Sequence, residues 1–325
     1  MQKKLFIISV VVLLAGVFLQ FFYKPKSLEN FSSSLVISPS LIPKKEPEKI
    51  SILFAGDFMF DRHIRKYASE NSNDFILENI KDLLLDNDLV VVNLEGPITD
   101  NPSRSLGSAP GSTNNYYFTF DQSVAKTLAD HNISLVNLGN NHILNFGEDG
   151  LDETKNYLDQ NKVNYFGDTG VDFISKILEI KNKKLVFINY NQFTDGSRER
   201  VLEAIKNFQN KTDLIVIYTH WGLEYKTEAN QVIQNLAHEF IDAGVDLIIG
   251  SHPHVVQQSE IYKNKKIYYS LGNFVFDQYF EENVKQGLLV KVVINAEDLT
   301  QDFEEINIIM INNGQTLIDN ETLTR

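Results

Sequence analysis

Four of the seven histidines, His142, His220, His252 and His254, lie in polar clusters that directly follow short apolar runs. Two more clusters, Gly56-Asp57 and Asn93-Leu94-Glu95, have the same placement, and His142 itself ends Gly139-Asn140-Asn141-His142. His220 opens His220-Trp221-Gly222, and the other two imidazoles stand in Gly250-Ser251-His252-Pro253-His254. Two carboxylates, an amide oxygen and up to four imidazoles from five segments would suit zinc, manganese or iron. The chain has no cysteine, which excludes a thiolate zinc site, a disulfide and a Cys nucleophile. Taken singly, each residue has a plainer use. Asp57 suits a helix N-cap or turn, Glu95 a solvated loop, Asn140-Asn141 a tight turn, and His220 a hydrogen-bonded core position. The His252-Pro253-His254 triplet is more telling: proline biases the preceding residue toward extended backbone, where alternate side chains share a face. The joint pattern predicts a shared metal site.

Such a site needs elements that bring distant segments together. Short runs rich in Val and Ile predict strands at Ile50–Ala55, Leu89–Asn93, Ser134–Leu138, Leu185–Tyr190, Leu214–Thr219, Asp246–Ile249, Lys266–Ser270 and Gly287–Ile294. Between them, Asn73–Leu85, Gln122–His131, Asp149–Gln160, Arg198–Gln209 and Glu228–Ala243 read as helices, and Phe303–Arg325 as one or two more strands. The alternation predicts an α/β fold with helices packed on sheets, and the carboxyl ends of its strands form the usual ligand crevice.

With 43% hydrophobic and 22% charged residues, the 325-residue chain can build a sizeable core. A net charge of −13 without a basic run argues against nucleic acid as a partner. Lys3 and Lys4 precede an uncharged apolar run, Leu5–Tyr23. At ~1.5 Å per residue in a helix, that run is roughly 28 Å long, close to a bilayer's hydrocarbon thickness. It ends Phe21-Phe22-Tyr23-Lys24, a poor cleavage site, so residues 1–23 are expected to form an uncleaved signal anchor. Residues 24–49, with Ser32-Ser33-Ser34, Pro39, Pro43 and Pro47, read as a flexible linker, and 50–325 as the folded domain. The expected location is a single-pass membrane protein with its C-terminal domain outside the cytoplasm.

Six ordered blocks over about residues 50–290 carry a family resemblance. They are Gly56–Arg62, Asn93–Thr99, Asn140-Asn141-His142 with Gly147 and Gly150-Leu151, His220–Tyr225, Gly244–Gln257 and Tyr269–Gln278. The chain resembles the CapA family of capsule or poly-γ-glutamate synthesis proteins, within the calcineurin-like metallophosphoesterase superfamily. The resemblance implies a four-layer α-β-β-α sandwich with two divalent metal ions, Mn, Zn or Fe, at the strand ends. It further implies that Asp57 bridges them, that Glu95, Asn141, His220, His252 and His254 complete the ligands, and that His142 is the catalytic acid. Arg62, Trp221, Glu224 and Asn273 become candidates for facing the substrate, although Arg62 fits a surface salt bridge equally well. Three positions depart from the pattern. Met59 stands at the His position of the superfamily's Asp-x-His, as is usual in the CapA branch, so one metal lacks an imidazole. Asn145 stands where that branch normally has Asp, and Asp61 where it tends to have Gly.

Two functions compete on this reading. One is a metal-dependent hydrolase or transferase acting on an anionic envelope polymer, such as poly-γ-glutamate, or on a phosphoester. The other is a non-catalytic component that binds the polymer within a capsule export or attachment complex, with other capsule-synthesis membrane proteins as partners. A degenerate domain that keeps its ligands only for stability is a third, weakened by the intact ligand set.

Overall fold

The computed structural model describes residues 47–167 and 174–319. The expected anchor and nearly all of the expected linker lie outside them. No helix among the described residues is long and apolar enough to cross a membrane.

Each predicted strand forms, and the strands sort into two sheets. The first has the order β14-β13-β12-β1-β2-β3-β4, with β11 also paired to β1. Its strands are β1 (Lys49–Phe58), β2 (Leu89–Leu94), β3 (Ile133–Asn137), β4 (Asn164–Phe166), β11 (Asn273–Val275), β12 (Gln286–Asn295), β13 (Gln301–Met310) and β14 (Thr316–Ile318). The second has the order β5-β6-β7-β8-β10-β9. It comprises β5 (Ser175–Ile180), β6 (Lys183–Asn191), β7 (Leu214–His220), β8 (Leu247–Ser251), β9 (Ser259–Tyr262) and β10 (Lys265–Tyr268). In both sheets the strands that lead to the histidine and carboxylate clusters run parallel to their neighbours, so their carboxyl ends share an edge.

Folding reveals a period-2 order inside the continuous apolar runs. In β1, Ile50, Ile52 and Phe54 join the apolar layer between the sheets, whereas Leu53 and Ala55 join the layer beneath one set of helices. In β6 and β7, Leu185, Phe187 and Val216 point between the sheets, and Val186, Ile188 and Ile217 pack under the other helices. Three apolar layers therefore separate helices, sheet, sheet and helices. Each fully buried side chain of this size contributes about 1.5–3 kcal/mol, so the strand ends stand on a rigid base. Tyr218 ties the sheets together beside the site by donating its hydroxyl to the Ala55 carbonyl.

Several local expectations change. The Asn73–Leu85 helix is broken into Asn73–Leu77, a 3₁₀ turn at Glu78–Ile80, and Lys81–Leu85. The distant Gln315 amide donates to the Phe75 carbonyl at 3.0 Å, a tertiary bond the local sequence does not encode. An unanticipated helix, Arg62–Glu70, buries only Ile64 and Ala68, too thin an apolar stripe to read as periodic. Strands β4 and β11 are three residues each, and β5 and β9 carry no fully buried residue. None of these four leaves a clear sequence signal.

Candidate metal centre

Asp57 lies within β1, not at a helix cap, and the pairing of β1 with β2 shifts register between Phe54 and Asp57. Gly56 before it is required: a Cβ there would come within 1.8 Å of the Gly272 carbonyl oxygen on the neighbouring chain segment. Asp57 Oδ1 accepts from Asn93 Nδ2 at 2.8 Å, and Oδ2 accepts from the His252 backbone N–H at 3.2 Å. Burial alone would raise the Asp57 pKa. The His254 contact at 3.3 Å and these two donors outweigh it and hold the carboxyl below its usual value.

Glu95 has the opposite environment. It is fully buried, and neither carboxylate oxygen meets a hydrogen-bond donor among the described residues. Burial, reinforced by the Asp57 charge, drives its pKa well above the ordinary range. A buried carboxylate without a donor is costly and calls for a cation. The ligand atoms of Asp57, Glu95 and His254 all lie within 4.8 Å of one another.

The imidazoles gather beside these carboxylates, with ring centres 4.7 Å apart for His220 and His252 and 5.9 Å apart for His252 and His254. The Ser251 hydroxyl donates to the Thr219 carbonyl at 2.7 Å, and His220 Nδ1 lies between its oxygen at 3.1 Å and the Asn93 amide nitrogen at 3.3 Å. His220 Nε2 stands 2.8 Å from Asn141 Oδ1 and 3.2 Å from His252 Nδ1. Asn273 Nδ2 donates to the Val284 carbonyl at 3.0 Å and to Gln278 Oε1 at 3.1 Å, which turns Oδ1 to receive His254 Nδ1–H at 2.9 Å. His254 Nε2 is thereby bare and 3.6 Å from Glu95 Oε1. Burial, aided by neighbouring imidazoles, lowers the His220 pKa well below normal and that of His252 to about 3. Both are neutral at pH 7, so a metal displaces no proton from either. Ligand atoms ~2.1 Å from one ion stand about 3.0–3.4 Å apart, close to the spacings found here. The donor set fits divalent metal ions.

The His252-Pro253-His254 reading requires correction in its reason. His252 has φ +96° and His254 φ +58°, so the segment is not extended, and the two rings meet through a strained turn. Among the substrate candidates, Trp221 does not face the cleft: it is fully buried, donating its indole N–H to the Tyr269 carbonyl at 2.9 Å. Asn273 is likewise fully buried and orients His254. Glu224 is exposed at the rim. Arg62 pairs with Asp277, its guanidinium lies 5.1 and 5.3 Å from the Phe118 and Phe276 ring centres, and its buried Nε has no partner among the described residues. Asn141 is exposed above His220, and His142 is half-buried, with Nε2 3.8 Å from Glu95. Asn145 Nδ2 donates to the Tyr116 carbonyl at 3.2 Å, so its Oδ1 receives His142 Nδ1–H at 3.1 Å. Burial lowers the His142 pKa to about 4. The Asp61 carboxylate binds Arg65 at 2.9 Å and the Thr119 N–H at 3.0 Å, away from the ligands.

Sequence reasoning gave no role to Asn93, Asn137, Ser251 or Asp277. Asn93 donates to Asp57 and accepts from Asn137 Nδ2 at 3.0 Å and Asn140 Nδ2 at 3.2 Å. An amide inside a run such as Leu89-Val90-Val91-Val92-Asn93 is the signal that could have found it, since a buried amide must be hydrogen-bonded.

Two sheets flanked by helices, with carboxylates and imidazoles at their shared edge, define a mixed α/β protein of metallophosphoesterase-like class. A sequence model described as "Bacterial capsule synthesis protein PGA_cap" matches residues 51–278, and the chain belongs to this family. Capsule biosynthesis protein CapA of Bacillus anthracis is 29% identical over 266 residues, covering 73% of this chain and 62% of the relative. PGA biosynthesis protein CapA of Bacillus subtilis (strain 168) is 29% identical over 248 residues, covering 70% and 64%. The matched stretch thus spans less than two thirds of these relatives. The crystal structure of a hypothetical protein from Thermus thermophilus shares the fold, with a TM-score of 0.50 at 15% identity, covering 79% of this chain and 98% of that one.

Proposed function

We propose that this chain is a membrane-anchored, extracytoplasmic metal-dependent hydrolase or transferase of capsule or poly-γ-glutamate biosynthesis, acting on an anionic envelope polymer or phosphoester. The observation that carries this reading is the buried Glu95 carboxylate, which meets no donor among the described residues while ligand atoms of Asp57, Glu95 and His254 lie within 4.8 Å of one another. Asp57, Glu95, Asn141, His220, His252 and His254 would hold two divalent ions, and Asn93, Ser251 and Asn273 orient those ligands. Ions bound there supply Lewis acidity and lower the pKa of water toward neutrality. The Arg62 guanidinium, beside the Phe118 and Phe276 rings and lining the adjoining cavity, suits a carboxylate or phosphate oxygen of the substrate. His142 is neutral at pH 7 and keeps its proton on Nδ1. To serve as an acid it must first take a proton at Nε2, and an anionic ligand beside it favours that uptake.

The test is to screen the full-length chain, with Mn²⁺ or Zn²⁺, against phosphodiester and γ-glutamyl substrates. His142→Ala is expected to abolish turnover while retaining metal. If no substrate turns over and His142→Ala still supports capsule formation, the enzyme reading fails. One feature favours the binding-component alternative. A cavity of about 460 Å³, lined by Arg62, His63, Lys66, Tyr116, Tyr225 and Phe280 among others, could hold a polyanionic chain without cleaving it. External location is checked by protease accessibility on intact cells, where full protection would refute it.

A further inference from the structure

We propose that Glu224 is a metal ligand, a third carboxylate that would join the centre from its solvent-exposed side. The proposal rests on the two-ion reading above and deepens it. Ligand atoms of Glu224, His252 and His254 all lie within 4.8 Å of one another. His254 also belongs to the buried set with Asp57 and Glu95, while His252 Nδ1 faces His220 Nε2 at 3.2 Å. A carboxylate within reach of both His252 and His254 therefore stands between the two groups of ligands. An imidazole with one bare nitrogen binds one ion, whereas a carboxylate with two oxygens can serve two.

The backbone holds Glu224 there. Its turn, residues 221–225, is tied to the histidine turn by Trp221 N–H to the Ser251 carbonyl at 3.2 Å and Tyr225 N–H to the Pro253 carbonyl at 2.8 Å. Gly222 N–H is fixed in turn by Gln192 Oε1 at 2.8 Å. Tyr225 has φ +63°, and with His252 and His254 it makes three non-glycine residues in the positive-φ region across two adjoining turns. Strain of that kind persists only where surrounding contacts over-determine it, and it clusters at functional sites. Met59, two residues beyond Asp57, is buried, and its sulfur accepts the Asp61 N–H at 3.0 Å, so β1 offers no second hard ligand there. Glu224 supplies an oxygen in compensation. Because it is exposed while Asp57 and Glu95 are buried, it is the carboxylate that can swing away, and it would make one ion more exchangeable than the other.

A merely substrate-facing Glu224 makes the opposite prediction. Removing its charge would leave metal binding unchanged and would strengthen binding of an anion. The test is Mn²⁺ titration calorimetry of the full-length wild type, Glu224→Gln and Leu223→Gln, the last as a control for disturbance of the same turn. The expected result is two equivalents bound by wild type and Leu223→Gln. In Glu224→Gln at least one equivalent should be weakened tenfold or more. Wild-type affinity for both equivalents in Glu224→Gln overturns the proposal and leaves the two-ion centre standing. Equal loss in Leu223→Gln overturns it too, by assigning the effect to the turn. A wild type that binds fewer than two equivalents refutes the two-ion reading itself.

Discussion

Replacing Glu95 by Gln should stabilise the metal-free protein and destabilise the metal-loaded one. The magnitude follows from the geometry. Two carboxylates within 4.8 Å repel by about 3.5 kcal/mol at an effective dielectric constant near 20. Glu95 can escape by taking up a proton. From its ordinary value of 4.5, holding that proton at pH 7 costs at most about 3.4 kcal/mol. Either route leaves the metal-free protein carrying a burden that glutamine removes, since its amide can donate to Asp57. The expected gain is about 2–3 kcal/mol, or roughly 5 °C or more in Tm for a domain of this size. The sign with pH is fixed as well. A raised folded-state pKa means the folded chain retains a proton that the unfolded chain releases, so wild-type stability falls as pH rises from 4.5 toward the folded value. Asp57, with its depressed pKa, contributes stability that is lost as pH falls through that lower value, a term common to both proteins. The gap between Glu95→Gln and wild type should therefore be small near pH 4.5 and widen toward neutrality. With Mn²⁺ the order should reverse, because each ion at 100 times its Kd adds about 2.7 kcal/mol to the protein that binds it. Thermal unfolding with and without chelator, from pH 4.5 to 8, measures all of this. A metal-free wild type more stable than Glu95→Gln at pH 7, or a gap that ignores pH, refutes the reasoning.

Asn273→Leu should weaken metal binding by about 10- to 100-fold, because it deprives His254 Nδ1–H of its acceptor; titration calorimetry with Mn²⁺ reads the change. Gly56→Ala should cost more than about 4 kcal/mol or prevent folding, since the added carbon meets backbone that cannot step aside. Urea unfolding or soluble yield measures it, and a near-neutral result would mean that β1 and the Gly272 segment separate more easily than their packing implies.

Much of the architecture was legible because strand-forming apolar runs and the polar residues after them are local features. A run such as Leu214-Ile215-Val216-Ile217 identifies a buried strand wherever it packs, and the cluster after it marks the sheet edge. The runs could not say that they divide between two sheets, since both faces of each strand are covered by apolar atoms in either arrangement. Elements with few buried residues, such as Arg62–Glu70 and β11, were invisible for want of periodicity.

At the centre, the sequence by itself determined which side chains were available and that five segments end in them. Tertiary structure alone decided their states. Asp57 and Glu95 are both buried carboxylates, yet donors from Asn93 and His252 reach one and none reaches the other, so their pKa values move apart. Asn273 orients His254, Ser251 and Asn93 flank His220 Nδ1, and burial takes Trp221 out of the cleft. These are properties of hydrogen-bond partners and solvent access between groups far apart in the chain, and no local spacing of residues carries that information.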